Sequence, residues 1–298
     1  MGILKKLTEE YFGDTVREED EINIDGLDVE IVSFTDNNGK KHRRGYKPKD
    51  KDTLKELLER MIKMRGDEGD FNDIDTSDIE SMGSLFLFNK TFNGNITGWN
   101  VSNVRNMSGM FWGATSFNQD ISKWKFPNVE NMSNMFSYAK SFNQPIGNWE
   151  FPNVEKMNSM FSHATSFNQD ISKWKFPNVE KMNSMFYGAK SFNQPIGNWK
   201  FPNVTDMSSM FWEASSFNQD ISKWKFPKVE DMNYMFYDAT SFNQPIGDWE
   251  FPNVTNMNRM FFYATSFNQD LSKWDLKGKD KIEIFYGCPI KKEYKPKM

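Results

Sequence analysis

The sequence predicts an α/β repeat solenoid. It would be a stack of 25-residue coils, each a short parallel strand plus a short helix, behind a small N-terminal β-hairpin and a capping helix. Three observations carry this expectation. A tryptophan returns every 25 residues, at Trp99, Trp124, Trp149, Trp174, Trp199, Trp224, Trp249 and Trp274. The residues between them return in register, so each unit can bury its apolar side chains only against its neighbours. Upstream lies a different kind of segment, amphipathic at helical spacing and closed by a glycine, as a lid on the first unit requires.

Composition narrows the function. With 298 residues and a formal net charge of -4, the chain has no general affinity for nucleic acid or anionic membrane. No apolar run reaches the ~18 residues that a membrane-inserted helix needs. A single cysteine, Cys288, excludes an internal disulfide framework, and His42 and His163 are too few for a Cys/His metal set. No Gly-rich phosphate loop, no nucleophile with a histidine base and no H-E-x-x-H motif is present, so neither catalysis nor a cofactor is expected. The amino terminus, Met1 to Glu10, lacks the apolar stretch of a secretory signal, which points to the cytoplasm.

Residues 1–50 read as the hairpin segment. Asp28-Val29-Glu30-Ile31-Val32-Ser33-Phe34 alternates in part and meets Asn37-Asn38-Gly39, a tight-turn signal. Acids precede the turn (Glu18, Glu19, Asp20, Glu21) and bases follow it (Lys40, Lys41, Arg43, Arg44, Lys47, Lys49, Lys51). Pairing of the two groups is expected ahead of anion binding.

Residues 51–70 hold the capping helix. Leu54, Leu57, Leu58, Met61 and Ile62 share one face, Thr53 with Glu56 reads as a capping box, and Gly66 ends it. Residues 71–290 are the array. Its first coil is degraded: Phe71, Ile74, Ile79, Met82, Leu85, Phe86 and Phe92 stand where later coils carry Ile96, Trp99, Val104, Met107, Met110, Phe111 and Phe117. At the far end Ile284-Phe285-Tyr286-Gly287-Cys288 echoes Met185-Phe186-Tyr187-Gly188-Ala189, which gives Cys288 the place of a small buried alanine. Residues 291–298 form a tail.

Within a coil, Val104, Met107, Phe111 and Ala114 fall on one helical face, with Asn103 as its cap. Asn128, Asn153, Asn178, Asn203 and Asn253 would do the same in later coils. A short strand would alternate Trp124 and Phe126 inward with Lys123 and Lys125 outward. Paired strands sit closer than packed helices, so the stack would curve. A second asparagine row, Asn93 to Asn268, suggests an amide ladder beside the core phenylalanines.

The unit Val-Glu-Asn-Met-Ser-Asn-Met-Phe-Ser-Tyr-Ala-Lys-Ser-Phe-Asn-Gln-Pro-Ile-Gly-Asn-Trp, residues 129–149, resembles the repeat of the BspA-like leucine-rich-repeat surface proteins. That family includes a bacterial and mycoplasmal subfamily with Met-Phe and Phe-Asn-Gln signatures. The resemblance covers about residues 71–288. It implies a leucine-rich-repeat-like solenoid at the cell surface, linked to adhesion or host-protein binding.

Two faces are candidates for contact. The preferred one is a row of rings after the Met-Phe pair: Trp112, Tyr138, His163, Tyr187, Trp212, Tyr237, Phe262 and Tyr263. It would be a partner-binding strip for protein or glycan, or a seal between coils. The second is the outward lysine strip, Lys123, Lys125, Lys173, Lys175, Lys200, Lys223 and Lys225, with Asp120, Asp170 and Asp220 nearby. It would meet an anionic partner or be a solvated face with charge pairs across coils.

A two-coil period overlies the first, since Gln119-Asp120-Ile121-Ser122-Lys123-Trp124 alternates with Gln144-Pro145-Ile146-Gly147-Asn148-Trp149. This suggests duplication of a pair of coils. The expected role is a non-enzymatic interaction or adhesion scaffold. The alternative is a structural spacer or assembly component of a cell-surface or phage structure.

Overall fold

The computed structural model describes residues 22–297, and the readings of Met1 to Glu10 and of Glu18 to Glu21 lie outside them. Strands β1 (Val29–Thr35) and β2 (Lys41–Pro48) form an antiparallel hairpin with an irregularity between Val32 and Phe34. The hairpin closes the array. The Asn37 N–H donates to the Gly98 carbonyl at 2.9 Å, and Tyr46 of β2 pairs in parallel with Ile74. Of the basic residues after the turn, Lys47 meets Asp78 and Lys49 meets Asp28, both at 2.8 Å.

Helix α1 (Lys51–Arg65) buries Leu54, Leu57, Leu58 and Met61. Its cap is Asp50, whose carboxylate accepts from the Thr53 N–H at 2.9 Å, in place of the expected Thr53–Glu56 box. Gly66 closes it in the left-handed region at φ 78°. Arg65 then grips Asp73 with two bonds of 2.7 and 2.8 Å, tying the helix end to the first unit.

The expected strand-plus-helix coil is not what a unit contains. Among the described residues the one α-helix is α1, and the segment from Val104 to Ala114 is a run of turns. The Met110 N–H bonds the Met107 carbonyl and the Ala114 N–H bonds that of Phe111. The third residue of each turn is left-handed, Gly109 at φ 61° and Gly113 at φ 73°. These are type II turns.

Both left-handed sites recur through the array. The second is filled by Phe88, Tyr138, His163, Gly188, Glu213, Asp238, Tyr263 and Gly287. For the side-chain-bearing residues this conformation costs on the order of 1–2 kcal/mol each, so something must compel it. The turns leave the N–H groups of Met107, Gly109, Phe111 and Gly113 pointing along the array. They donate to Asn131, Ser133, Met135 and Ser137 at 2.7–2.9 Å. The compulsion is this ladder, since an unmade buried backbone bond costs more than the turn.

Parallel bridges continue it from Ser81↔Asn106 to Asn256↔Asp280. The asparagines expected as helix caps have another duty: Asn153 Nδ2 donates to the Pro127 carbonyl and Asn178 Nδ2 to that of Pro152, both at 2.6 Å.

Two further polar ladders run beside the backbone one. Asn118 Oδ1 accepts from the Asn143 N–H, Asn143 Oδ1 from Asn168, and so on at 2.9–3.0 Å. The tryptophan indoles reach back one unit, as when Trp174 Nε1 donates to the Ile146 carbonyl at 3.0 Å. Trp124 Nε1 is the exception, buried without a partner among the described residues.

The Lys123-to-Phe126 segment alternates as expected, lysines exposed and rings buried, but forms no strand. This reverses the expected source of curvature. Units are held at ~4.8 Å where the backbone pairs. Ring separations between equivalent residues then widen across the section. They are 5.4 Å for Phe86–Phe111, 6.0 Å for Phe117–Phe142 and 6.4 Å for Trp149–Trp174. The paired edge of the turns is the narrow side of a wedge, and the lysine face is the wide side.

The two-unit period has a steric cause. A Cβ on Gly147 would run into the carbonyl oxygen of Asp170, and Gly197 and Gly247 face Asp220 and Asp270 in the same way. A Gly-bearing unit accordingly precedes the Asp-x-Ser units at Asp170, Asp220 and Asp270, while Thr97 stands in that place before Asp120. Deleting residues 126–150 would set Ser122 against Asp170 and lower the denaturation midpoint more than deleting residues 126–175 does, although the second chain is shorter. Asn143→Ala, which strands the Asn168 N–H, is expected to cost ~1–3 kcal/mol in urea unfolding. Asn143→Asp, which keeps the acceptor, should restore most of it.

Candidate interaction surface

The ring row lies along the narrow side. Two properties of the turns put it there: where the residue after Met-Phe is a ring it is half-buried, and the next residue is left-handed, which swings its side chain outward. Trp112, Tyr187, Trp212, Tyr237 and Phe262 are half-buried, while Tyr138 and Tyr263 are 41% and 45% exposed.

From Tyr138 the rings touch without a break. Centroid separations are 4.4 Å to His163, 4.5 Å on to Tyr187, 5.0 Å to Trp212, then 4.8 Å to Tyr237 and 4.8 Å to Phe262. Tyr263 packs edge-on against Phe262. Trp112 stands apart from this run. Its ring meets Phe88 at 5.7 Å, and the equivalent position in the next unit is the buried Ser137.

Sequence reasoning missed Phe88, Tyr234, Arg259 and the role of Tyr286 in this row. Tyr286 extends the run from Phe262 at 4.8 Å. Tyr234 occupies the other left-handed site at φ 55° and stacks on Trp212 at 5.2 Å. Arg259, one unit on, donates to the Tyr234 hydroxyl at 3.3 Å and to Glu283 at 2.7 Å. The signal available was positional, since both residues stand where most earlier units carry serine or asparagine.

Glycines in the row have a packing reason. Gly113 lies beneath the Phe88 ring, Gly188 beneath His163 and Gly287 beneath Tyr263, so a Cβ at any of them would strike the preceding ring. Trp212 Nε1 is buried without a hydrogen-bond partner among the described residues. Burial pushes the His163 imidazole below its ordinary pKa, helped by Lys190 and Lys140 and opposed by Glu213.

The lysine strip is exposed throughout, at Lys123, Lys125, Lys173, Lys175, Lys200, Lys223 and Lys225. Lys123 reaches Asn38 of the hairpin tip at 3.2 Å, and further along Lys273 pairs with Asp248 across one unit at 2.8 Å. Asp170 and Asp220 are occupied locally. The hydroxyl and then the N–H of the serine two residues on, the latter at 2.9 Å, hold each carboxyl below the usual range.

Cys288 is half-buried, with its thiol 3.3 Å from the Phe267 carbonyl, and burial raises its pKa to about 11. A thiol so poorly ionised is a packing group. Among the described residues no group of three or more His, Cys, Asp and Glu side chains is placed to hold a metal ion. No helix among them is long and apolar enough to cross a membrane.

A surface built from repeated positions is a property of the repeat, and the repeat has relatives. Residues 54–174, 124–207 and 195–294 match the family described as Mycoplasma protein of unknown function, DUF285. The chain belongs to the DUF285 family. The overlapping matches are themselves the mark of tandem repetition, with one DUF285 region beginning inside the last. Comparison with curated proteins finds no match, and neither does comparison with solved structures.

His163 gives the row a pH dependence whose sign follows from its lowered pKa. The folded state resists protonation, so the unfolded state binds more protons below about 6.5. Thermal stability is therefore expected to fall as the pH drops from about 7.5 to about 5.5. His163→Phe should lose less over that range, which parallel melting curves would read.

Proposed function

We propose that this chain is a non-enzymatic solenoid scaffold that binds a protein partner through the ring row from Tyr138 to Tyr263. The observation carrying this reading is the continuity of that row along the narrow edge of the wedge. Solenoids commonly bind with their concave side, and there six or more units offer one extended surface. Rings are also the residue type that anchors protein interfaces.

The ring arrangement favours protein over glycan. Tyr237 and Phe262 stack within 6° of parallel, and Tyr138 and His163 within 29°, so their faces are spent on one another. What remains outward is ring edges and tyrosine hydroxyls, which suit a peptide surface. A sugar needs an open ring face.

The finer reading, a BspA-like leucine-rich-repeat protein at the cell surface, is supported by the repeat signatures and the parallel bridge row. It implies adhesion as the setting. No chemistry is assigned to the chain, and the lysine strip on the wide side is secondary. The competing reading is a spacer without a ligand. It is favoured by the alternating unit pairs, which let the array change length by two units at a time.

The test uses the exposed members, since Trp212 is packed among Tyr187, Tyr234 and Tyr237 and its truncation would also cost stability. A photo-crosslinking residue at Tyr138 or Tyr263 of the full chain, in cells that make it, should capture one protein. The same probe at Lys173 or Lys223 should not. Capture from the lysine face only would overturn the assignment, and capture from neither face would leave the spacer.

A further inference from the structure

The ladder between units is directional. In every interior unit alternate N–H groups point toward the C-terminal end and alternate carbonyls toward the N-terminal end. The two ends of the array therefore carry opposite halves of the same pattern. At the C-terminal end, Met257, Arg259, Phe261 and Tyr263 donate to the carbonyls of Asp280, Ile282, Ile284 and Tyr286. The corresponding donors of that last unit, the N–H groups of Lys281, Glu283, Phe285 and Gly287, have no acceptor among the described residues. At the N-terminal end, Met82, Ser84, Phe86 and Phe88 donate forward to Asn106, Ser108, Met110 and Trp112. The carbonyls of Ser81, Gly83, Leu85 and Leu87 have no donor among the described residues.

Apolar exposure coincides with these two rims. Leu87 and Phe88 are 39% and 59% exposed at one, and Tyr263, Ile282 and Tyr286 are 45%, 64% and 54% exposed at the other. Neither rim segment contains a proline, and both are unbroken runs at the ladder's two-residue spacing. Such an edge is a template for further pairing unless it is blocked.

We propose that the two rims bind each other in different copies, so that this chain associates head to tail. The donors Lys281, Glu283, Phe285 and Gly287 of one copy meet the acceptors Ser81, Gly83, Leu85 and Leu87 of a second. This is the register that every interior pair of units uses. Tyr286 and Ile282 then cover Leu87 and Phe88. Helix α1 and the C-terminal tail lie over the core at the two ends, so the contact is confined to the rim and the two bodies meet at an angle.

The second copy is favoured as occupant because it presents the missing half of the pattern at matching spacing. A symmetric dimer would set donors against donors. The interface is heterologous and does not close at two copies. This proposal does not rest on the ring row's partner, although Phe88, Tyr263 and Tyr286 belong to both surfaces.

Sedimentation velocity on the full chain over a wide concentration range tests it. The expected result is a mass that rises past the dimer with concentration. Phe88→Lys and Ile282→Lys should each weaken association by ~10-fold or more while leaving the melting temperature near that of the parent, since both side chains are exposed. Tyr286→Lys serves as a second C-terminal variant. A mixture of Phe88→Lys and Ile282→Lys chains should form a one-to-one dimer that grows no further, because each supplies the rim that the other retains. A chain that stays monomeric throughout would overturn the proposal. So would a dimer that persists in each single variant.

Discussion

The array rests on one constraint. Every second backbone amide in the turn segment must find its acceptor in the next unit, because nothing within its own unit can serve. Met107, Gly109, Phe111 and Gly113 answer it by donating to Asn131, Ser133, Met135 and Ser137. The left-handed residues, the parallel bridges and the outward swing of the rings all follow from this. A tyrosine or histidine accepts an unfavourable φ at Tyr138 and His163 because the alternative is an unmade bond inside a packed stack.

The same constraint shapes the exterior. Backbone pairing holds one edge of the units close, while the indoles of Trp149 and Trp174 across the section stand 6.4 Å apart. A stack with unequal edges bends toward the short one. Side chains on that edge are pressed into contact, and there the rings stack at 4.4–5.0 Å. On the opposite edge the lysines spread apart, which lowers their mutual repulsion. The division into a ring face and a lysine face is thus a mechanical consequence of where the backbone pairs.

Directionality makes the ends different from the middle and from each other. Inside the array every amide of the backbone ladder has its acceptor, while the asparagine and indole ladders run with the opposite polarity, donated by the later unit to the earlier one. Caps at both ends cover the core: α1 and the hairpin at one, and the tail with its short 3-10 helix (Lys292–Tyr294) at the other. They shield the rings of Phe86 and Phe285, which are 2% and 8% exposed. They leave Leu87, Phe88, Ile282 and Tyr286 exposed at the rims, where the ladder stops in mid-pattern.

The repeat, the identity of the core side chains and the asparagine ladder were legible from residues alone. Spacing dictates which positions are equivalent, and burial follows from apolar character: Val104, Met107, Phe111, Ala114, Phe117, Ile121 and Trp124 are all buried. The outward lysines and the ring row were legible for the same reason.

The conformation of the unit was not. Apolar residues spaced three and four apart fit a helix and also fit consecutive turns. The glycines at 109, 113, 188 and 287, which suit such turns, are replaced by Ser, Asn, Phe, Tyr, His, Arg, Glu or Asp elsewhere. Only the neighbouring unit supplies the hydrogen-bond acceptors that choose between the two. That choice also decided which edge is narrow, how the rings meet, and that the last donors stand open.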